Sequence, residues 1–349
     1  MSNNKMTRRE LLTKGSAVVA ASAFPMSSFG AAYPAKPITV AMLAPAGGAT
    51  DRGVRPTLEL MKKALGARAV AIQDMSGAGG VQAMDFVLGR PADGYTWAGM
   101  NDTIESFAMY GRVKHTWRDF DFWVNAGTPC GFVVRADSKI QTFDQMMDEI
   151  KANPGKYSVS STPSGSLWSN VAVYARDKLG LDIKIVNYKG GGPSVRALLS
   201  GEVDIGCMGV TPQVSHIKVG KLRPLAATVP EDWETGGFVY PTITRWVDDP
   251  LMAKTLPWTN MNGIALKKGT PEDILKKIDA AFSEAMANPK MQEVYKSNGF
   301  FAYQKGRDQG ANDLMKSRTE FQAFVVEVIL NKAKVTRESL GIEKLEDKL

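Results

Sequence analysis

Histidine and cysteine are so scarce in this chain that neither a structural zinc site nor a histidine-assisted nucleophile is expected. The 349 residues contain two cysteines, Cys130 and Cys207, and two histidines, His115 and His216. A four-ligand zinc site would need all four side chains, and their spacing matches no zinc motif. A serine nucleophile would need one histidine as its base, yet both lie in polar stretches typical of surface residues. Asp248-Asp249 is typical of a solvated turn.

The glycine-rich segments do not match nucleotide or hydrolase motifs. Gly77-x-Gly79-x-x-Gln82 lacks the third glycine of a dinucleotide fingerprint, and no Gly-Lys-Ser/Thr of a P-loop occurs. Ser164-Gly165-Ser166 is not a Gly-x-Ser-x-Gly nucleophile elbow. We therefore expect no cofactor and no metal.

Three other loops favour the binding of an anion. Residues 47–50, 164–166 and 190–194 are rich in glycine and serine, and each stands immediately ahead of a predicted helix. Helix N-termini present unpaired N–H groups and a partial positive charge, and glycine lets a ligand approach the backbone closely. One such loop is equally well explained as an ordinary turn, but three together indicate a carboxylate or phosphate site.

The elements that carry these loops alternate between strand and helix. Four strand–helix steps with short connections predict an α/β fold with a mostly parallel sheet covered by helices on both faces. A helix after residue 50 either kinks at Pro56 or begins there. Thr142 and Thr270 are expected helix caps, and helical segments are expected to run to about residue 334. Strands are predicted at 38–43, 69–73, 96–100, 157–161, 183–188, 203–208, 224–228 and 262–266.

The first 32 residues predict an export leader rather than part of the fold. Arg8 and Arg9 stand in a Thr-Arg-Arg-x-Leu-Leu pattern, followed by a short apolar stretch and then small residues. This arrangement is typical of a twin-arginine signal peptide, which a receptor recognises. The alternative is an amphipathic surface helix at the start of the protein. Cleavage is expected after Gly30 or Ala32.

Composition places the remainder of the chain among two-domain globular proteins. Hydrophobic residues make up 44% and charged residues 23% of the sequence, and no apolar run reaches the roughly 18 residues of a membrane span. The leader has four basic residues and one acid, which leaves +4 of the formal charge of +7 on the rest. Because no basic stripe is present, a nucleic-acid partner is not expected. Export permits a disulfide between the two cysteines, but the sequence leaves open whether it forms.

A series of short motifs occurs in the order found in one receptor family. Over about residues 33–330 the chain resembles the extracytoplasmic solute receptors of tripartite tricarboxylate transporters, the Bug family. The motifs are Tyr33-Pro34-Ala35-Lys36-Pro37-Ile38, Pro-Ala-Gly-Gly-Ala-Thr-Asp at 45–51, Gly77-Ala78-Gly79-Gly80, Pro91-Ala92-Asp93-Gly94-Tyr95, Ala152-Asn153-Pro154-Gly155-Lys156, Tyr188-Lys189-Gly190, Leu199-Ser200-Gly201-Glu202-Val203-Asp204 and His-Ile-Lys-Val-Gly-Lys-Leu-Arg at 216–223.

The resemblance implies a two-lobed periplasmic binding fold, type II-like, with a carboxylate in the cleft between the lobes. Residues 33–131 and 261–349 would form lobe 1, and residues 132–260 lobe 2. The carboxylate would be held by backbone amides and hydroxyls of the loops before helices, partly through water. The residues implied to bind it are Ala46, Gly47, Gly48, Ala49, Thr50, Asp51, Asn101, Asp102 and Thr103 in lobe 1, and Ser164, Gly165, Ser166, Ser169, Lys189, Gly190, Gly191, Met208 and Gly209 in lobe 2.

Two departures from the family pattern make the expected cleft less polar. Residues 166–170, Ser-Leu-Trp-Ser-Asn, stand where the family often has Thr-Ser-Ser-His, and Met208-Gly209-Val210 stands where it often has Phe-Asp-Asn. These changes favour an aromatic or otherwise apolar carboxylate over a small hydroxylated acid such as citrate. Trp168 is then either a stacking wall for the ligand or an ordinary packing residue on its helix.

The resulting expectation is a periplasmic, monomeric solute receptor without catalytic activity, which delivers a small carboxylate to the membrane components of a tripartite tricarboxylate-type transporter. Two rival classes remain. One is an exported hydrolase that uses Ser166 with His216, and the other is a membrane-tethered sensory lobe, for which the sequence offers no tether.

Overall fold

The computed structural model describes residues 33–345, and the predicted twin-arginine leader at 1–32 lies outside the described residues. The strands are β1 (Ile38–Met42), β2 (Val70–Asp74), β3 (Thr96–Met100), β4 (Phe120–Arg135), β5 (Ser158–Ser161), β6 (Lys184–Asn187), β7 (Ile205–Gly209), β8 (Leu222–Ala227), β9 (Trp233–Thr235), β10 (Phe238–Tyr240), β11 (Thr259–Lys267) and β12 (Phe301–Lys305). The helices are α1 (Ala49–Ala64), α2 (Val81–Leu88), α3 (Thr103–Ser106), α4 (Phe143–Ala152), α5 (Leu167–Leu179), α6 (Gly191–Ser200), α7 (Thr211–Lys218), α8 (Pro250–Thr255), α9 (Glu272–Ala287), α10 (Pro289–Asn298) and α11 (Ala311–Phe324).

Ten strands form one sheet in which two parallel groups flank antiparallel central strands. The order is β2-β1-β3-β11-β4-β7-β5-β6, and β8 and β12 also pair with β4. Strands β1, β2 and β3 are mutually parallel, as are β5, β6 and β7. Each parallel group follows the predicted strand–helix alternation, so the α/β architecture is confirmed.

A sixteen-residue strand that the sequence analysis did not identify joins the two halves. Residues 120–129 of β4 pair with β11, whereas residues 130–135 pair with β7 and β8. Nearly the whole strand is buried, because it has sheet neighbours and packed layers on all sides. The change of partner falls beside the boundary expected between the lobes. The division into two lobes that move separately stays a prediction.

Most element boundaries agree with the sequence, and the exceptions have local causes. Helix α1 begins at Ala49 and includes Pro56, so a start at Pro56 is wrong. The Thr142 hydroxyl accepts the Gln145 N–H at 3.2 Å, as predicted for a capping residue. The Thr270 hydroxyl instead donates to a carbonyl of β11 at 2.9 Å and does not cap α9. Strand β12 interrupts the helical run predicted to reach residue 334.

The two cysteines lie side by side as free thiols. Cys130 is on β4 and Cys207 on the neighbouring β7, both fully buried, with their sulfur atoms 3.4 Å apart. The pair lies where β4 exchanges one set of partners for the other. Among the described residues no helix is long and apolar enough to cross a membrane.

Candidate functional site

A cleft of about 480 Å³, part of it open to solvent, lies where strands from both halves of the sheet end. It is bounded by the loops after β1, β3, β5 and β6, which is where open parallel sheets bind ligands. Its first wall consists of Leu43, Ala44, Pro45, Gly48, Ala49, Thr50, Ser76, Gly79, Asn101, Asp102 and Thr103. Its second wall consists of Thr162, Pro163, Ser166, Trp168, Lys189, Gly190 and Gly191, and Asn260 of β11 lies between the walls.

Most of the residues predicted to bind ligand line this cleft, and the others lie beside or behind it. Those that line it are Gly48, Ala49, Thr50, Asn101, Asp102, Thr103, Ser166, Trp168, Lys189, Gly190 and Gly191. Ser164 lines a wider groove of about 1300 Å³ that shares four lining residues with the cleft and forms its mouth. The predicted residues outside the cleft lining are Ala46, Gly47, Asp51, Ser164, Gly165, Ser169, Met208 and Gly209.

Asp51 shapes the loop before α1 and does not line the cleft. Its carboxylate accepts the Gly47 N–H at 3.0 Å and pairs with the Arg55 guanidinium at 2.5 Å. Gly47 has φ of 77°, a left-handed conformation that suits glycine. The carboxylate therefore holds the turn that aims the start of α1 at the cleft.

The first turn of α1 gives the first wall its hydrogen-bonding capacity. The N–H groups of Ala49 and Thr50 are in the first turn, so they have no acceptor within the helix. Thr50 is 2% exposed, and no hydrogen bond of its hydroxyl to another described residue is found. This wall can therefore donate both backbone and side-chain hydrogen bonds to an anion.

Asp102, at the tip of the loop after β3, reaches across to the second wall. One carboxylate oxygen accepts the Leu167 N–H at 2.5 Å, and the other accepts the amide N–H of Asn260. The start of α5, which the sequence predicts as a ligand site, thus already receives a carboxylate from the opposite wall. The Ser166 N–H is also engaged, with the Pro163 carbonyl at 3.0 Å.

Further hydrogen bonds follow Asp102 at intervals of four residues along α3 and the turn after it. The Ser106 hydroxyl donates to the Gly165 carbonyl at 2.9 Å, and the Tyr110 hydroxyl donates to the Asn170 side-chain oxygen at 2.7 Å. Because one helical face supplies all three contacts, it fits against the first turn of α5 as a unit. The two walls are therefore directly bonded to each other beside the cleft.

Trp168 is a packing residue that also lines the cleft, and its stacking on a ligand stays a prediction. Its side chain lines the cleft, and it also packs so tightly on the end of β7 that a Cβ at Gly209 would lie 2.3 Å from Trp168 Cζ2. Gly209 therefore acts behind the tryptophan, by making room for its ring. The Trp168 Nε1 atom is buried without a described hydrogen-bond partner. A donor is thus available in this wall.

The third predicted loop precedes α6 and lies across the cleft from Pro45. A Cβ at Gly190 would lie 3.2 Å from Pro45, and one at Gly191 would lie 2.8 Å from Pro212 of α7. Lys189 is exposed, and it is the only cationic side chain of the described residues that line the cleft. This loop combines close backbone approach with one positive charge at the mouth.

Several lining residues were not predicted. Leu43, Ala44 and Pro45 directly precede the first predicted loop. The cleft lining therefore begins three residues before Ala46, the first residue predicted to bind ligand. Asn260 could not be found from local sequence, because it enters the cleft only through the pairing of β11 between the two halves. The other unpredicted lining residues are Ser76, Gly79, Thr162 and Pro163.

One buried carboxyl lies behind the cleft wall on α3. Glu105 is 1% exposed, and neither of its oxygens has a described hydrogen-bond partner. Burial raises the pKa of Glu105 to about 8, although the Arg318 guanidinium, 3.8 Å away, lowers it. The group is therefore largely neutral at pH 7 in the folded protein.

The hydrolase alternative finds no support in this geometry. The Ser166 hydroxyl is hydrogen-bonded to the Thr162 hydroxyl at 2.6 Å, and within residues 33–345 no hydrogen bond joins it to His216. Burial, with Lys221 and Arg52 nearby, lowers the pKa of His216. Among the same residues no group of three or more His, Cys, Asp or Glu side chains could hold a metal ion.

Comparisons with known proteins point to one receptor family. Residues 54–329 match the family model described as tripartite tricarboxylate transporter family receptor. The UPF0065 protein in the tcbD–tcbE intergenic region of Pseudomonas sp. strain P51 is 31% identical over 86% of this chain and 88% of its own. Protein BugT of Bordetella pertussis is 26% identical over 88% of this chain and 90% of its own.

Solved structures share the fold. One titled as a periplasmic transporter has a TM-score of 0.77 and 25% identity, and it covers 85% of this chain and 98% of its own. MatC from Rhodopseudomonas palustris, solved with bound malate, has a TM-score of 0.75 and 22% identity, covering 84% of this chain and all of its own. The predicted periplasmic-binding fold is thereby confirmed.

Proposed function

The chain belongs to the tripartite tricarboxylate transporter receptor family, and we propose that it captures a small carboxylate in the cleft, in the periplasm, and delivers it to the membrane components of such a transporter. The ligand is bound and released without chemical change. The observation that supports this most strongly is the cleft itself, which is lined both by the first turn of α1, whose Thr50 hydroxyl bonds to no other residue within 33–345, and by the loop before α6.

A carboxylate fits these donors better than other small groups do. Its oxygens accept several hydrogen bonds at once, and a helix N-terminus adds a favourable partial charge. Each such charge-assisted bond contributes roughly 1.5–3 kcal/mol. Three such bonds give at most about 9 kcal/mol, so micromolar binding, which needs about 8 kcal/mol, also requires contacts of the ligand with the cleft walls once the cost of immobilising it is subtracted.

Binding is coupled to closure of two lobes, residues 33–131 with 261–349 and residues 132–260. Strand β4 runs through both halves, pairing with β11 in one and with β7 and β8 in the other, so it supplies the hinge. A ligand that contacts both walls binds the closed form more tightly, and only this difference in affinity can shift the equilibrium. Delivery to the transporter then depends on recognition of the closed form.

Export through the twin-arginine route would place the folded receptor in the periplasm as a monomer. Arg8 and Arg9 carry this part of the proposal, and they lie outside the described residues. A receptor that folds before export would also bury its two cysteines before it meets an oxidising compartment.

Two threonines of α1 provide a matched test of the site. Thr50 lines the cleft, whereas Thr57, two turns later and equally buried, donates to the Gly53 carbonyl at 3.2 Å and accepts from Asn125 at 2.9 Å. A thermal-shift screen of mono-, di- and tricarboxylates, aromatic acids included, identifies ligands by their stabilisation of the folded state. Calorimetry on the best ligand then compares Thr50→Val with Thr57→Val.

We expect Thr50→Val to weaken binding about 10- to 100-fold with little change in unfolding free energy. Thr57→Val should lower the unfolding free energy by about 1–3 kcal/mol and leave affinity within about threefold. Absence of stabilisation by every carboxylate, or equal affinity loss in both variants, would contradict the assignment of the cleft.

Closure is tested by small-angle scattering on the unmodified protein. A saturating ligand should reduce the radius of gyration, and tryptophan emission should change because Trp168 lines the cleft. An unchanged radius of gyration at saturation would refute closure without affecting the assignment of the cleft.

A further inference from the structure

Only two side chains with formal charge line the cleft within residues 33–345, and they are placed differently. Lys189 is exposed and also lines the wider groove at the mouth. Asp102 is 3% exposed and lies between the two walls. A ligand that enters past Lys189 therefore meets a buried carboxylate.

The contacts of Asp102 require that it act as an acceptor. The Leu167 N–H and the Asn260 amide N–H each donate to a different carboxylate oxygen. Burial raises the pKa of Asp102 above its usual value, and the Leu167 N–H, the Arg318 guanidinium and the Asn260 amide offset only part of this rise. Both described hydrogen-bond partners of the carboxylate are donors, and no described group accepts a hydrogen bond from it. Hydrogen bonds of this kind favour the ionised form of the carboxyl group.

Asp102 is also held in place. Its two donors come from α5 and from β11, so its carboxylate is fixed from two elements. Asp102, Ser106 and Tyr110 form the row of bonds described above, and a ligand that pushed Asp102 aside would have to break that row. An incoming anion therefore cannot easily displace the carboxylate from the start of α5.

We propose that Asp102 determines specificity by restricting the ligand to one carboxylate, with an uncharged or cationic group at the other end. This inference rests on the proposed function, because it assumes that a carboxylate binds in the cleft. The ligand carboxylate takes the N–H groups of α1 or α6, which have no competing carboxylate among the lining residues. A second carboxylate would lie beside Asp102 in a site with little water, where like charges repel strongly. Lys189, the only cation that lines the cleft within residues 33–345, is exposed at the mouth.

Matched acids test the proposal by calorimetry at pH 7.5 on the full mature chain. The pairs are hexanoate with adipate and benzoate with terephthalate, in which the second acid adds one carboxylate at the far end. We expect the unmodified protein to bind the monocarboxylate of a pair at least tenfold more tightly. In Asp102→Asn the ratio should fall to within about threefold, because the charge is removed at nearly constant shape.

Asp102→Asn can keep hydrogen bonds to both partners of the wild-type side chain, so it is expected to fold. Its side-chain oxygen can accept the Leu167 N–H, and its NH₂ group can donate to Asn260 Oδ1, which is buried without a described partner, once the Asn260 amide turns over. Asp102→Ser is a second, shorter acceptor without charge, in case the amide does not fit. Glu105→Gln, a buried carboxyl nearby that does not line the cleft, is the control and should keep the wild-type preference.

The outcomes separate this inference from the function on which it rests. Equal or tighter binding of adipate or terephthalate by the unmodified protein would overturn the role of Asp102. An undiminished preference in both Asp102 variants would overturn it as well. Failure of every acid in the screen to bind would instead overturn the proposed function, and the inference with it.

Discussion

The buried carboxyl of Glu105 predicts an unusual pH dependence of stability. Its pKa is about 8 in the folded protein, against 4.5 for an exposed glutamate, because burial disfavours the charged form. Between these values the folded chain binds more protons at this position than the unfolded chain does. The unfolding free energy contributed by this group therefore falls as pH rises, and its stabilising effect is lost as pH passes through about 8.

The size of the effect follows from the difference in bound protons. Each pH unit over which folded and unfolded states differ by one proton contributes about 1.4 kcal/mol. Between pH 5 and pH 8 this group alone should cost the wild-type protein about 3 kcal/mol, after allowance for partial titration at both ends. Glutamine cannot ionise, so Glu105→Gln should lose this slope while Arg318 keeps its bond of 3.0 Å to the Thr259 carbonyl.

Urea denaturation followed by tryptophan fluorescence at pH 5, 6, 7 and 8 measures the difference directly. Wild type and Glu105→Gln should be similar in stability at pH 5, and the variant should be the more stable by about 3 kcal/mol at pH 8. Glu59→Gln, which alters an exposed ion pair with Lys290 at 3.3 Å, should follow the wild-type curve. Parallel curves for wild type and Glu105→Gln would refute the reasoning.

Three further results are expected. Both cysteines should resist a thiol reagent in the native protein and react on unfolding, because burial raises the pKa of the Cys130 thiol well above its usual range; rapid native labelling would contradict this. Replacing Arg8 and Arg9 with lysine should leave precursor in the cytoplasm, and an unchanged amount of exported mature protein would refute twin-arginine export. In the same urea titration, Gly191→Val should lower the unfolding free energy by about 1–3 kcal/mol because its side chain would clash with α7. Gly192→Ala should leave it nearly unchanged, because the added methyl group would lie 3.6 Å from Arg196, an ordinary contact distance.

Local sequence was sufficient to locate the loops of the candidate site. Helix starts and short strands depend on caps, glycine and apolar spacing within a few residues, which is why β3 was predicted with its observed boundaries and Thr142 as a helix cap. The resemblance then placed these loops around one cleft. The role of the Asp51 carboxylate in shaping its loop is also local, because its partners Gly47 and Arg55 lie four residues away on either side.

Strand β4 shows why the rest could not be predicted. Its sixteen residues mix apolar side chains irregularly with polar residues and proline, such as Asn125, Thr128 and Pro129. The strand therefore shows neither a regular alternation nor a continuous apolar run. Its identity as a strand comes from partners far away in the chain, β11 on one half and β7 with β8 on the other. Strand formation depends on such distant pairing more than helix formation does.

Local patterns and motifs were enough to predict the α/β class, the family resemblance and the glycine- and serine-rich loops ahead of α1, α5 and α6. Which of those loops keep free donors for a ligand depends on contacts between residues far apart in the chain. Asp102 is 65 residues from Leu167 and 158 from Asn260, yet it bonds both and so engages the start of α5. Backbone conformation is set largely by neighbours in sequence, whereas the charge and free hydrogen-bonding groups of a cleft are set by side chains that only folding brings together.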